Sequence, residues 1–134
     1  MTFLDSNVFV YFADRRDARK QRIARSILWA AKNSGTYLIS VQVLNEFSNV
    51  ALKKLAMDEN DVRAYIDEFA NIRTVENRLA WTYSALEIKK RYGIQFYDSL
   101  LIAAAEANGC NEILSEDLAD GQVYFGVKAI NPFR

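Results

Sequence analysis

Hydrophobic and polar residues alternate along this chain with two distinct periods. Short apolar runs stand at Thr2–Leu4, Thr36–Ser40, Glu112–Ser115 and Val127–Ile130, with the length and composition of buried strands. Between them the apolar positions recur every three or four residues. Ile23, Ile27, Leu28 and Ala31 mark a helix between Arg19 and Lys32 that Gly35 ends, and Val43, Leu44, Phe47, Val50, Ala51 and Leu55 mark a second. Asp58 opens a third, with Val62, Tyr65, Ile66 and Phe69 on one face. Trp81, Ala85, Ile88 and Tyr92 line a fourth that stops at Gly93, and Asp98 to Ala107 is apolar nearly all round, a helix predicted to be wholly buried and closed by Gly109. Asp5-Ser6-Asn7 reads as a turn or helix cap, and Gly121 and Gly126 as turns before a final strand stopped by Pro132. Strands separated by helices predict an α/β fold with a short, largely parallel central sheet.

Neither repeat, linker nor low-complexity stretch interrupts the pattern, so the 134 residues are expected to form a single domain, residues 1–134. The longest apolar runs, such as Leu100 to Ala105, reach six residues, against the ~20 needed to cross a membrane. No basic segment precedes Asp5, so the start does not read as a secretion signal. With one cysteine, Cys110, a cytoplasmic location is the expectation. Composition narrows the chemistry further. No histidine is present, which excludes Ser-His-Asp and Cys-His catalysis and His-ligated zinc. Lysine plus arginine equals aspartate plus glutamate, 17 − 17 = 0, so a polyanionic partner must be met by a local patch.

What remains is carboxylate chemistry, and the acids are placed suggestively. Asp5 follows the first strand, Glu46 lies in the helix after the second, Asp98 opens the buried helix, and Asp117 follows a late strand, with Asp120 near it. In an open α/β sheet, ligands bind where the carboxyl ends of strands converge. Carboxylates gathered there raise one another's pKa or attract a hard cation such as Mg²⁺ or Mn²⁺. Such an ion activates water and stabilises charge in phosphodiester hydrolysis, without any histidine. Taken singly, Asp5 and Asp98 also read as helix caps, Glu46 as a solvated side chain, and Asp117 and Asp120 as turn residues.

Four segments carry a resemblance that runs over nearly the whole chain. Phe3-Leu4-Asp5-Ser6-Asn7-Val8, Ser40-Val41-Gln42-Val43-Leu44-Asn45-Glu46-Phe47, Tyr97-Asp98-Ser99-Leu100-Leu101-Ile102-Ala103-Ala104-Ala105 and Ile113-Leu114-Ser115-Glu116-Asp117-Leu118 resemble, in order, the four motifs of PIN-domain proteins of the VapC toxin type. The resemblance implies an α/β/α sandwich and a Mg²⁺- or Mn²⁺-dependent endoribonuclease that forms a homodimer and is neutralised by a cognate antitoxin. It casts Asp5, Glu46, Asp98 and Asp117 as metal-binding and catalytic acids, supported by Ser6, Asn7 and Ser115. Asp120 is an additional candidate ligand, displaced by one residue from the position some relatives use, which Ala119 occupies here.

Arg15, Arg16, Arg19, Lys20, Arg22 and Arg25 place six basic residues in eleven positions. Arg15, Arg19 and Arg22 are at helical spacing and predict a stripe, either for RNA phosphates or as a solvated face paired with Asp14 and Asp17. Most aromatics are expected in packing, and Cys110 as a small apolar residue. Two other functions stay open on the sequence: a catalytically silent binding module holding a basic peptide or structural ion, and a nuclease acting on structured DNA.

Overall fold

The computed structural model describes residues 1–134. Its elements, in chain order, are β1 (Thr2–Leu4), α1 (Ser6–Ala13), α2 (Ala18–Asn33), β2 (Tyr37–Ser40), α3 (Val41–Lys53), α4 (Glu59–Phe69), β3 (Thr74–Val75), α5 (Leu79–Tyr92), α6 (Phe96–Ala107), β4 (Glu112–Leu114), β5 (Val123–Tyr124) and β6 (Val127–Ile130). The six strands form one sheet in the order β3-β2-β1-β4-β6-β5. Every neighbouring pair is parallel except β5–β6, a hairpin whose tight turn holds Phe125 and Gly126 at positive φ. No helix is long and apolar enough to cross a membrane.

The α/β reading holds, and the strands at Thr2, Thr36, Glu112 and Val127 are where the pattern put them, to within a residue. Three elements went unread. Helix α1, SNVFVYFA, has the composition of a strand. It is helical because Asp5 caps it, accepting from the Ser6 N–H at 2.6 Å, and because Val8, Phe9 and Ala13 are buried along one side. Strands β3 and β5 are two residues each, too short for any period to appear.

Helices α1 to α4 pack on one another as one layer, and α5 with α6 form the other, α6 lying against β2, β4 and β6. An aromatic cluster of Phe9, Phe12, Phe47, Tyr65 and Phe69 locks α1, α3 and α4 together, largely edge to face. Helix α6 is sealed in the core from Ser99 to Ala105, as its continuous apolar sequence required. The core is continuous, a cluster of 33 buried residues. What matters for the site is the place of β1. It lies between β2 and β4, so the chain leaves it to one side and later returns on the other. Asp5 therefore sits at the carboxyl end of a central strand where the connections diverge and leave a crevice.

Candidate active site

Asp5 is buried, with 2% of its surface exposed, and both its oxygens are engaged. Oδ1 accepts from the Ser6 backbone at 2.6 Å and from Ser6 Oγ at 3.3 Å, and Oδ2 accepts from Ser115 Oγ at 2.7 Å. Ser115 in turn accepts from the Asp117 N–H at 3.1 Å, so one hydroxyl fixes both a carboxylate and the loop after β4. Asn7 reaches the same loop, its Nδ2 donating to Asp117 Oδ2 at 3.4 Å. Asp98 comes from the opposite layer. It is the third residue of α6, whose cap is Gln95, so the expectation that Asp98 itself opens or caps the helix is corrected. The helix starts two residues earlier, and the Asp98 side chain is free for the cup.

Asp5, Asp98 and Asp117 bring one carboxylate oxygen each to within 4.8 Å of one another. Burial pushes Asp5 up to about 7 against the pull of Ser115 and Ser6, with Glu46 and Asp117 adding repulsion. Asp98 is pushed up to about 6 by burial, then by Asp117 and Glu46. Glu46, half-buried on α3, is also raised, first by burial. It lies outside the three-oxygen group but close enough for its charge to act on both Asp5 and Asp98. Its Oε2 accepts from Gln42 Nε2 at 3.2 Å.

A hard divalent cation fits this donor set: three carboxylates, only oxygen ligands, and mutual repulsion that a double positive charge removes. A second observation agrees. Asn7 Oδ1 is buried beside the cup without a hydrogen-bond partner, an acceptor left for a donor that the protein does not supply. Ser40 Oγ, at the end of β2, is likewise unpartnered.

Asp120 is turned away. Its Oδ1 accepts from the Asn131 N–H at 2.8 Å and its Oδ2 from Arg134 at 2.5 Å, and these hold its pKa below the usual range. Its oxygens are committed to pinning the chain's last turn, and it is not part of the three-acid group. The arginine stripe is also revised. Asp17 caps α2 by accepting from Lys20 N, so that helix begins at Ala18 and leaves Arg15 and Arg16 in the turn before it. Arg16 pairs with Asp14 at 2.9 Å, Arg19 donates to the Phe133 carbonyl, and Arg22 is exposed on α2. Cys110 is buried, and burial pushes its thiol pKa up, as suits a packing residue.

One support escaped the sequence altogether. Tyr11 Oη donates to Glu116 Oε1 at 2.5 Å, and Lys20 Nζ donates to Glu116 Oε2 at 2.6 Å and to Tyr11 at 3.1 Å. This triad staples α1 and α2 to the residue before Asp117, and nothing in a sequence links groups about a hundred positions apart.

Parallel strands in this order, with acids gathered at the carboxyl ends of β1 and β4 and at the start of α6, define a PIN domain. The family model for the PIN domain matches residues 2–122, and the chain belongs to that family. Among the solved structures it resembles are a VapC toxin and toxin–antitoxin complexes. Mycobacterium tuberculosis VapC20, a Sarcin-Ricin loop cleaving toxin, superposes with a TM-score of 0.68 at 20% identity over 87% of this chain and 90% of its own. A toxin–antitoxin complex from Klebsiella pneumoniae gives 0.73 at 16% identity over 98% of both chains. VapBC2 from Rickettsia felis, bound to a DNA fragment from its promoter, gives 0.67 at 18% identity over 96% of both. No curated protein sequence matches the chain.

Proposed function

We propose that this protein is a divalent-metal-dependent endoribonuclease and the toxin of a toxin–antitoxin pair, acting in the cytoplasm as a homodimer with a cognate antitoxin as partner. The observation that carries the reading is the convergence of Asp5, Asp98 and Asp117 within 4.8 Å. The likeness to VapC20 and to two toxin–antitoxin complexes supports the biological side.

In this reading Asp5, Asp98 and Asp117 hold Mg²⁺ or Mn²⁺, and Glu46 stands at the rim. The ion supplies Lewis acidity to a phosphate oxygen and acidity to a water. The protein's own groups do the rest. Ser115 and Ser6 fix the Asp5 oxygens so that the cup keeps its shape when a cation enters or leaves. Asn7 holds Asp117 in place with its Nδ2 and offers its unpartnered Oδ1 to a water's hydrogen. Glu46, its basicity raised by burial, takes the proton of the attacking water. In-line attack of that water on phosphorus breaks the P–O3′ bond, and the leaving oxygen takes a proton from solvent water, so the products carry a 5′-phosphate and a 3′-hydroxyl.

The test is cleavage of single-stranded and structured RNA, and of DNA, with Mn²⁺, Mg²⁺ or EDTA. RNA is expected to be cut only with the metal, and Asp98→Asn to abolish cutting while the protein still unfolds cooperatively. Cleavage that survives EDTA removes the metal mechanism. Cleavage of DNA alone changes the substrate, and none of any nucleic acid leaves a binding module.

A further inference from the structure

We propose that the groove beside Glu46 is a subsite for one unpaired nucleobase of the RNA, neighbouring the nucleotide whose phosphate lies over the acid cup; the proposal rests on the ribonuclease reading above. The groove has a volume of about 640 Å³ and is lined by Glu46, at the rim of the cup, and by Tyr97, which immediately precedes Asp98. A strand with its phosphate at the acids therefore has a base within reach of this wall.

Charge selects what enters. The groove's only charged side chains are Glu46 and Glu76, and no lysine or arginine lines it. A phosphate is repelled there, so the part of an RNA strand that enters is a neutral one. Hydrogen bonding defines that group further. Asn45 and Asn49 stand one turn apart on α3, on the same face as Gln42. Neither asparagine amide has a hydrogen-bond partner within the protein, so each presents two donors and an acceptor to the groove. The edge of a nucleobase has this mixed donor and acceptor pattern, and unpaired bases are read in this way. Tyr97 adds an aromatic surface that is 62% exposed, a platform on which a base stacks.

The walls are also fixed in advance. Gln42 Nε2 donates to the Tyr97 carbonyl at 3.1 Å as well as to Glu46, and Asn77 Nδ2 donates to Gln42 Oε1 at 3.5 Å. Gln42 thus ties α3, which carries the amides, to the start of α6, which carries Tyr97, and to the segment before α5. A basic peptide would answer the two glutamates but would leave the amides and the ring unused.

Two measurements test the subsite. In the first, ¹⁵N-labelled wild-type protein in EDTA is titrated with single-stranded tetranucleotides of each base. The side-chain amides of Asn45, Asn49 and Asn77 are expected to shift saturably, one base binding roughly tenfold more tightly than the poorest. In the second, a randomised RNA pool is cut with Mn²⁺ and the new 5′ ends are sequenced. Asn45→Ala, Asn49→Ala and Tyr97→Ala are expected to go on cutting while the base preference next to the cut collapses toward even usage. The subsite is overturned if no tetranucleotide moves those amides, if only an arginine-containing peptide does, or if the variants keep the wild-type preference. Binding through the amides by a protein that cuts nothing would instead overturn the ribonuclease reading alone.

Discussion

Asp5 carries the largest conflict in the molecule. A carboxylate with almost no exposed surface, facing Asp117 and Glu46, is costly to ionise, and its pKa is pushed up to about 7 from an ordinary 3.8. The sign follows directly. Between pH 4 and 7 the folded protein binds a proton at Asp5 that the unfolded chain has released, so stability falls as pH rises through that window and is flat above it. Near pH 3 and below both states are protonated and the penalty all but vanishes. In EDTA, Asp5→Asn is therefore expected to melt close to the wild-type temperature near pH 3. At pH 8 it should melt higher, by roughly 5 °C or more, corresponding to a few kcal/mol. Mn²⁺ should raise the wild-type melting temperature at pH 8 and leave the variant's nearly unchanged. Thermal scans across pH decide it; a difference that stays constant from pH 3 to 8 would mean the Asp5 carboxyl is not held in the way the structure describes.

Elements deliver the acids, and here the sequence was legible to different depths. Asp5, as cap of α1, and Asp117, in the turn after β4, stand where short polar residues follow apolar runs, and that punctuation is local. The buried α6 declared itself by being apolar on every side. Helix α1 did not, because the Val-Phe-Val-Tyr-Phe run within Ser6–Ala13 satisfies strand preferences, and only its cap and its packing on α2 and α3 make it helical. The staple of Tyr11, Lys20 and Glu116 was invisible for a different reason: it is tertiary, made by three segments that meet only in the folded chain. Lys20 belongs to the basic stretch of the sequence, yet its amine faces a carboxylate beside Asp117. Lys20→Met is expected to cost only about 1 kcal/mol of stability, since the pair is partly solvated. Its effect on the site should be greater. With Glu116 held by Tyr11 alone, the loop that carries Asp117 is less firmly fixed, and Mn²⁺ affinity should fall up to roughly 10-fold, as for other groups that orient metal ligands. Calorimetric titration with Mn²⁺ measures it, and an unchanged affinity would confine the staple to a structural role.

For the molecule as a whole, zero net charge means that no overall field draws RNA toward a cup of acids that repels it. The attraction has to be local. Lys20 places the amino-terminal end of α2 beside the residue before Asp117; Arg22 and Arg25 are exposed further along the same helix and Arg15 in the turn before it. Not all of the basic stretch is available, because Arg16 is paired with Asp14 and Arg19 is committed to the Phe133 carbonyl. Two or three free guanidinium groups contacting phosphates predict a modest salt dependence, with log affinity falling by about 0.7 per contact for each tenfold rise in salt on single strands. Arg15→Glu combined with Arg22→Glu should then raise KM about tenfold at low salt, flatten its salt dependence by about one to two contacts, and leave kcat unchanged, because neither residue touches the acids. Steady-state cleavage from 25 to 300 mM KCl separates the alternatives. A fall in kcat at constant KM would place these arginines in the chemistry, and no change in either would make them a solvated face, with the RNA held by the groove and the cup alone.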